Sequence, residues 1–154
     1  MAARVEILAV GGLHRDLVPA ATHYVELLKP LAAVSVRELK EVPLRGRDPS
    51  EVLRDEGRRL LAAWPKTPVV AALAVEGRQM DTESFAAWLQ RGFERGGVGF
   101  VVGGSLGLAP GVLERCRDLV SLSSLTLPHQ LARVVLLEQV FRACKILAGQ
   151  PYHH

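Results

Sequence analysis

Five short strand-like runs, most of them rich in apolar residues, recur along this 154-residue chain, and longer segments with helical patterns lie between them. The runs cover residues 4–10, 32–39, 68–75, 98–102 and 119–123. Parallel strands need crossover segments of a dozen or more residues between them, and strands buried on both faces are apolar throughout. The spacing therefore predicts an α/β fold in which a mostly parallel sheet is flanked by helices.

Local signals predict three of the helices. A cap residue followed by proline begins a helix at Asp48, and a proline at position 65 ends it. Asp81 or Thr82 is expected to cap a second helix. The longest helix is expected to cover residues 128–147, because a glycine and a proline follow it closely.

The length and composition limit the class of protein. A chain of 154 residues suits one domain with a real core, so we expect a single domain over residues 1–154. Hydrophobic residues make up 49% and charged residues 23%, and no apolar run reaches the roughly 18 to 20 residues of a membrane span. No secretory signal precedes the first strand. We expect a cytoplasmic protein with no membrane partner.

The cysteines and the net charge say less about function. Cys116 and Cys144 fit neither a C-x-x-C redox site nor a zinc spacing, so we expect reduced thiols and no metal site. The formal net charge of +3 is compatible with a polyanionic partner but does not demand one.

Two loops near the carboxyl ends of predicted strands are candidates for ligand binding. Gly103-Gly104-Ser105-Leu106-Gly107 follows the fourth apolar run, and residues 121–127 form a Ser/Thr/Leu stretch after the fifth. Glycine brings backbone N–H groups close to a ligand because it has no Cβ. The alternative is a tight turn with no ligand. A Rossmann dinucleotide site is disfavoured, because the loop does not match G-x-G-x-x-G and comes late in the chain.

Three sequence blocks occur in one order in this chain. They are Gly103-Gly104-x-x-Gly107-Leu108, then Leu122-Ser123-x-Leu125-Thr126-Leu127-Pro128-His129, then Arg133-x-x-x-x-Glu138-Gln139-x-x-Arg142-Ala143, and the tail Pro151-Tyr152-His153-His154 follows them. Together with the first apolar run, these blocks closely resemble the RlmH family of SPOUT-class methyltransferases along the whole chain.

The resemblance implies a fold and an activity. Members of this family methylate N3 of a pseudouridine in bacterial large-subunit (23S) ribosomal RNA, on the assembled ribosome, with S-adenosyl-L-methionine as the methyl donor. In SPOUT proteins the C-terminal segment threads through a loop to form a trefoil knot, which physics alone would disfavour. The resemblance also implies a homodimer in which the neighbour completes each donor site. A surplus of apolar residues on the helix over 128–147 agrees with a dimer.

The resemblance implies that the methyl donor lies against three loops. The matching positions are Leu73, Gly103, Gly104, Leu122, Ser123, Ser124, Leu125, Thr126 and Leu127. For each leucine, core packing is an equally good interpretation. Ala74 departs from the family, because many relatives have aspartate there; Glu76 is a possible substitute or a solvated turn residue.

Transfer of a methyl group to N3 requires loss of the N3 proton, so a base or hydrogen-bond donors at the flanking carbonyls are needed. Tyr152 and His153 are the candidate catalytic residues in the tail, and a disordered terminus is the alternative. Arg142, spaced i, i+4 from Glu138, is the third candidate catalytic residue and is expected to meet phosphate if its helix face lines the site; otherwise the two form a modest surface pair.

Five further residues are candidates for RNA binding. Arg45 and Arg47 lie in a short basic loop and could make forked contacts to phosphate, although a solvated loop is the plain alternative. His129 could orient the substrate or cap the helix, Arg133 belongs to the third block, and His154 stands where relatives commonly have lysine or arginine.

Two other functions remain open from the sequence. One is a SPOUT methyltransferase that acts on a different RNA nucleotide. The other is a ribosome-associated binding module that keeps the fold without catalysis.

Overall fold

A computed structural model describes residues 3–152 and shows strands and helices in strict alternation. The strands are β1 (Arg4–Val10), β2 (Ala33–Leu39), β3 (Val69–Gln79), β4 (Val98–Val102) and β5 (Asp118–Ser121). The helices are α1 (Val18–Leu28), α2 (Pro49–Ala62), α3 (Thr82–Glu94), α4 (Pro110–Arg115) and α5 (His129–Leu147).

The five strands form one sheet in the order β2-β1-β4-β3-β5, and each neighbouring pair is parallel. The predicted α/β architecture is confirmed. Because all strands run the same way, the loops after β3, β4 and β5 emerge at one edge of the sheet, where open α/β folds place ligands. The trefoil knot stays a prediction.

Helices cover both faces of the sheet and form two cores. On one face α1, α3 and α5 bury a cluster that includes Phe85, Trp88 and Phe100. On the other face α2 and α4 contribute Leu60 and Val112. Alternate residues of β1 and β4 enter the two cores, which explains why these strands are mostly apolar. The exceptions, Arg4 and Glu6 of β1, pair with each other.

Strand β3 is longer than the sequence pattern predicts, because its pairing with β5 is interrupted. Leu73 and Arg78 both pair with Val120, so the four residues between them bulge out of the sheet. A Cβ on Gly77 would lie 2.7 Å from the backbone carbonyl carbon of Leu119. Only glycine lets the bulge return this close to β5.

The two predicted caps are confirmed. The side chain of Asp48 accepts a hydrogen bond from Ser50 N at the start of α2, and the side chain of Asp81 accepts one from Ser84 N at the start of α3. The sequence did not single out α1 or α4, each of which has proline in its first turn. Neither has a side-chain cap.

Helix α5 buries most of its apolar residues within the chain. Val134, Leu136, Leu137 and Val140 are buried, whereas Val135 and Phe141 are half-buried. The helix packs against both α1 and α3, which explains why it has more than one apolar stripe. The apolar surplus of α5 therefore has a use inside one chain and is weak support for a dimer.

Candidate functional site

A cleft of about 560 Å³ opens where β4 and β5 end and where β3 leaves the sheet at its bulge. We call it the donor cleft. It is lined by Leu73, Ala74, Val75, Val102, Gly103, Gly104, Ser105, Gly107, Val120, Ser121, Leu122, Ser123, Leu125, Thr126, Leu127, Pro128, His129 and Ala132. Three separate stretches of sequence thus meet in one concave surface that is mainly apolar, with backbone groups at its edges.

The structure brings together eight of the nine residues predicted to bind the donor. Ser124 is exposed and does not line the cleft. Leu73 and Leu122 line the cleft and also pack against the core, so both interpretations of these leucines apply. Ala74 lines the cleft, whereas Glu76 is exposed and lies outside its lining. Glu76 therefore does not replace the acidic residue that position 74 lacks.

The glycine turn depends on close backbone packing. A Cβ on Gly103 would lie 2.4 Å from the carbonyl oxygen of Gly107. The N–H of Gly107 donates to the carbonyl of Gly104 at 3.1 Å, and Gly107 has a φ of +78°. A Cβ on Gly104 would face Val10, with its Cγ1 at 3.3 Å. Gly103 and Gly107 are thus required by the turn itself.

The loop after β5 is ordered by its own serines. Ser121 Oγ donates to the carbonyl of Ser123 at 3.0 Å, and Ser123 Oγ accepts from the N–H of Leu125 at 2.9 Å. Leu125 is 72% exposed at the mouth of the cleft. An exposed leucine on an ordered loop offers an apolar wall to a ligand.

Tyr152 folds back onto α5 and joins Glu138 and Arg142. Its hydroxyl donates to Glu138 Oε1 at 3.0 Å, and Arg142 Nη2 donates to the same oxygen at 2.7 Å. Arg142 Cζ lies 3.8 Å from the centre of the Tyr152 ring, and Phe141 meets that ring edge-on. Burial raises the pKa of Tyr152, as does its hydrogen bond to Glu138. We call Glu138, Arg142 and Tyr152 the tail cluster.

The tail cluster does not line the donor cleft of its own chain. Helix α5 lines the cleft with His129 and Ala132, and Arg142 lies ten residues, about 15 Å along the helix, beyond Ala132. Of the predicted catalytic residues, Arg142 and Tyr152 are therefore separate from the donor-binding residues within one chain. His153 and His154 lie outside the described residues.

Arg133 is buried in the chain. Its side chain is 5% exposed; Nη1 donates to the carbonyl of Gly11 at 3.1 Å, and Nη2 pairs with Glu38 Oε2 at 2.7 Å. These contacts tie α5 to the ends of β1 and β2. Because these contacts occupy the guanidinium, Arg133 has a structural role at this edge of the sheet.

The predicted basic loop links β2 to α2. The N–H of Arg47 donates to the carbonyl of Leu44 at 3.0 Å, and Gly46 has a φ of +75°. Arg47 Nη1 lies 3.6 Å from Asp55 Oδ2, whereas Arg45 is exposed. The loop is thus held to α2 while Arg45 extends from it.

A second pocket of about 360 Å³ adjoins this loop and was missed by sequence reasoning. We call it the acidic pocket. It is lined by Glu41, Val42, Pro43, Leu44, Val52, Glu56, Ser105 and Leu106. Glu56 is 4% exposed, and its Oε2 accepts from the N–H of Val42 at 3.2 Å.

Burial raises the pKa of Glu56, the hydrogen bond from Val42 lowers it, and the charge of Glu41 raises it further. The sequence did contain a signal for this residue. Val52, Glu56 and Leu60 are spaced i, i+4 and i+8 on α2, and all three are buried. A glutamate in the middle of an apolar stripe marks a buried carboxylate.

Both cysteines are free, and burial raises the pKa of each thiol to about 11. Within residues 3–152, no group of three or more His, Cys, Asp or Glu side chains could hold a metal ion. None of the helices in this part of the chain has the length and apolar character needed to cross a membrane.

Comparisons with known proteins agree with this geometry. A family profile described as "Predicted SPOUT methyltransferase" matches residues 3–153. The chain is 40% identical to "Ribosomal RNA large subunit methyltransferase H" of Listeria monocytogenes serovar 1/2a, over 97% of this chain and 98% of the relative. It is 42% identical to the protein of the same name from Rubrobacter xylanophilus, over 99% of each chain.

Solved structures share the fold. A probable methyltransferase from Bordetella pertussis aligns with a TM-score of 0.60 and 18% identity, over 92% of this chain and 96% of that one. TrmJ from Z. mobilis aligns with a TM-score of 0.55 and 16% identity, over 100% of this chain and 73% of that one. The chain belongs to the SPOUT methyltransferase family and, within it, to the ribosomal RNA large subunit methyltransferase H (RlmH) family.

Proposed function

We propose that this protein methylates N3 of a pseudouridine in bacterial large-subunit (23S) ribosomal RNA, on the assembled ribosome in the cytoplasm, with S-adenosyl-L-methionine as donor. The observation that carries the proposal is the donor cleft. In a chain of this family, three loops that are distant in sequence meet there at the ends of three parallel strands. We propose that residues 1–154 act as one domain.

The donor cleft fits S-adenosyl-L-methionine in its chemistry. Leu73, Leu122, Leu125 and Leu127 would enclose the adenine, while Gly103, Gly104, Ser123 and Thr126 would offer backbone and hydroxyl groups to its polar edges. Ser124 lies outside the lining but belongs to the same loop. When bound, the donor supplies an electrophilic methyl group.

The protein must hold N3 of the base in line and promote loss of its proton. Tyr152 keeps its proton at neutral pH, because its pKa is raised. It would stack on the ring, or donate to a base carbonyl once its O–H leaves Glu138. We assign proton removal to His153. Arg142 would hold the Tyr152 ring and contact phosphate.

A homodimer would bring the tail cluster and the donor cleft together. The tail cluster does not line its own donor cleft, so we propose that the tail of one protomer completes the cleft of its partner. The half-buried Val135 and Phe141 on α5 and the exposed Leu131 and Ile146 belong to the proposed interface.

We propose that the RNA backbone lies along the exposed cationic groups at this edge of the sheet. Arg45 and Arg47 would contact phosphates, His129 would face the substrate at the mouth of the donor cleft, and His154 would supply a further contact. Arg133 would act by holding the Gly11 turn beneath the RNA.

One experiment tests the proposal. The protein is incubated with labelled donor and with either assembled ribosomes that lack the modification or isolated rRNA, and the labelled nucleoside is mapped by mass spectrometry. We expect methylpseudouridine from ribosomes and little from free rRNA. Label on another nucleotide would assign a different target. Binding of the donor or of the ribosome without methyl transfer would contradict a catalytic function.

A further inference from the structure

The acidic pocket lies directly beside the donor cleft. Ser105 lines both, and Glu41 Oε1 lies 3.6 Å from the position that a Cβ on Gly104 would take in the wall of the cleft. A small ring held in the acidic pocket would therefore have one edge at the donor cleft. This adjacency is what a methyl acceptor needs.

The lining of the acidic pocket suits a flat, uncharged ring with N–H donors. Pro43, Leu44 and Leu106 provide apolar surface for its faces, and its volume of about 360 Å³ is that of a small-ligand site. Its two ionisable side chains, Glu41 and Glu56, are carboxylates that only accept hydrogen bonds when ionised. They repel phosphate and attract N–H groups.

Glu56 shows that the pocket has unused hydrogen-bonding capacity. Its side chain is more than nine-tenths buried, and Oε2 is engaged by Val42. Its other oxygen, Oε1, has no hydrogen-bond donor among residues 3–152, and the side chain lines the pocket. No buried side-chain polar atom among residues 3–152 lacks a partner, so this Oε1 is open to the pocket and can accept a hydrogen bond from a ligand there.

The neighbouring loop supplies the charge that an RNA strand requires. Leu44 lines the pocket, and Arg45 and Arg47 follow it immediately in the sequence. Phosphates would lie on the arginines while one base turns inward, which separates backbone contacts from base recognition. This arrangement favours an unstacked RNA base as the occupant.

We propose that the acidic pocket holds the target base, and that Glu41 selects pseudouridine over uridine by accepting a hydrogen bond from ring N1–H. The proposal rests on the proposed function. Pseudouridine carries N1–H where uridine has C–H, and N1 and N3 are separated by one carbonyl carbon. N3 can thus face the donor cleft while N1 faces the carboxylate beside Gly104. A site built for an N–H rejects the analogue that lacks it.

The test compares ribosomes that carry pseudouridine at the target with ribosomes that carry uridine there. We expect the wild-type protein to prefer pseudouridine in kcat/KM. Glu41→Leu lowers that preference at least about tenfold, because it removes a charge-assisted hydrogen bond. Glu41→Gln keeps a carbonyl acceptor and gives an intermediate preference. Glu114→Leu, an exposed glutamate on α4, leaves the preference unchanged.

Binding of free nucleosides gives a readout that does not depend on transfer. Pseudouridine is expected to shift the methyl NMR signals of Leu44 and Leu106 at lower concentration than uridine does, and Glu41→Leu abolishes the difference. Circular dichroism and donor affinity check that each variant is folded. An unchanged preference in folded Glu41→Leu, or equal rates on the two ribosomes with wild-type protein, would overturn the role of Glu41. Failure of the wild-type protein to methylate pseudouridine at all would instead overturn the proposed function.

Discussion

The guanidinium of Arg142 lies 3.8 Å above the ring of Tyr152, and both side chains donate to the same oxygen of Glu138. The contact fixes the last described residue of the chain against α5. Because burial and the bond to Glu138 raise its pKa, Tyr152 stays protonated at neutral pH. The phenol therefore keeps its proton, which it donates to Glu138, and is not a base that could remove a proton from a substrate.

This geometry separates the roles of ring and hydroxyl. Tyr152→Phe keeps the ring beneath Arg142 and loses the bond to Glu138, so we expect about 0.5–1.5 kcal/mol less stability and a modest loss of transfer rate.

Deletion of residues 152–154 should slow transfer far more while donor affinity stays near normal. His153→Ala should change the pH profile of transfer.

Single-turnover transfer on saturating ribosomes, together with urea denaturation, measures these effects. A wild-type rate from the truncated protein would remove the tail from the mechanism. A normal pH profile in His153→Ala would remove that residue as the base.

The sequence predicted the parts of the fold that depend on local pattern. β1 and β4 have the expected bounds because their residues enter two cores and are mostly apolar, with Arg4 and Glu6 of β1 as the charged exceptions. The end of β3 was placed four residues too early, at 75 instead of Gln79. The reason is that the bulge before Arg78 is set by pairing with β5, which lies forty residues later and leaves no local pattern.

The same distinction applies to the site. Eight of the nine predicted donor-loop residues line the donor cleft, and their positions could be predicted because their sequence blocks resemble a known family. The contact between Arg142 and Tyr152 could not be predicted, because no pattern in the sequence indicates that the tail folds back onto α5. The acidic pocket could not be predicted either, because it forms where the loop after β2, helix α2 and the glycine turn meet, and the glycine turn is distant in sequence from the other two.

Arg133 should contribute more to stability than the other arginines. Arg133→Met removes the donor to the carbonyl of Gly11 and the partner of Glu38, so we expect a loss of about 1–3 kcal/mol in the free energy of unfolding. Arg15→Met, at a side chain 91% exposed, is the matched control and should change little. Urea denaturation of both variants measures the difference. Equal stabilities would mean that the buried contacts of Arg133 add nothing to the fold.

The glycine turn should reject a methyl group at Gly103, whereas a glycine outside the turn should accept one. Gly103→Ala places a Cβ against the backbone of Gly107, so we expect both stability and donor affinity to fall. Gly111→Ala, in α4 with open space around its Cβ, should be neutral or slightly stabilising. Thermal denaturation measures the stability of both variants, and calorimetry measures their affinity for the donor. Normal donor binding by Gly103→Ala would show that the turn can shift without harm to the cleft.

The donor cleft can be blocked from α5 without touching the glycine turn. Ala132 lines the cleft and is half-buried, so Ala132→Trp should fill it and weaken donor binding by at least about tenfold. Ala148→Trp, at an exposed position past the end of the same helix, should bind the donor normally. Calorimetry on both folded variants makes the comparison. Equal affinities would place the donor elsewhere.

Glu56 should give the protein a distinctive dependence of stability on pH. Its pKa is raised above 4.5 in the folded chain, chiefly by burial, so the folded state holds the proton more tightly than the unfolded state. The contribution of Glu56 is therefore most favourable below pH 4.5 and is lost as the pH rises through the folded pKa. Glu56→Gln carries no titrating group and can still accept from Val42, so it should gain stability relative to wild type across that range.

The capping carboxylates provide the opposite control. Hydrogen bonds from Ser50 and Ser84 lower the pKa values of Asp48 and Asp81 below 3.8. Their stabilising effect is present above pH 3.8 and is lost as the pH falls. Asp48→Asn should therefore be less stable than wild type above pH 3.8, and the difference in stability should shrink as the pH falls. Urea denaturation of the wild type and both variants from pH 3 to pH 8 separates the two behaviours. Parallel curves for the wild type and Glu56→Gln would mean that the buried carboxylate has the same proton affinity in both states, and the raised pKa would be wrong.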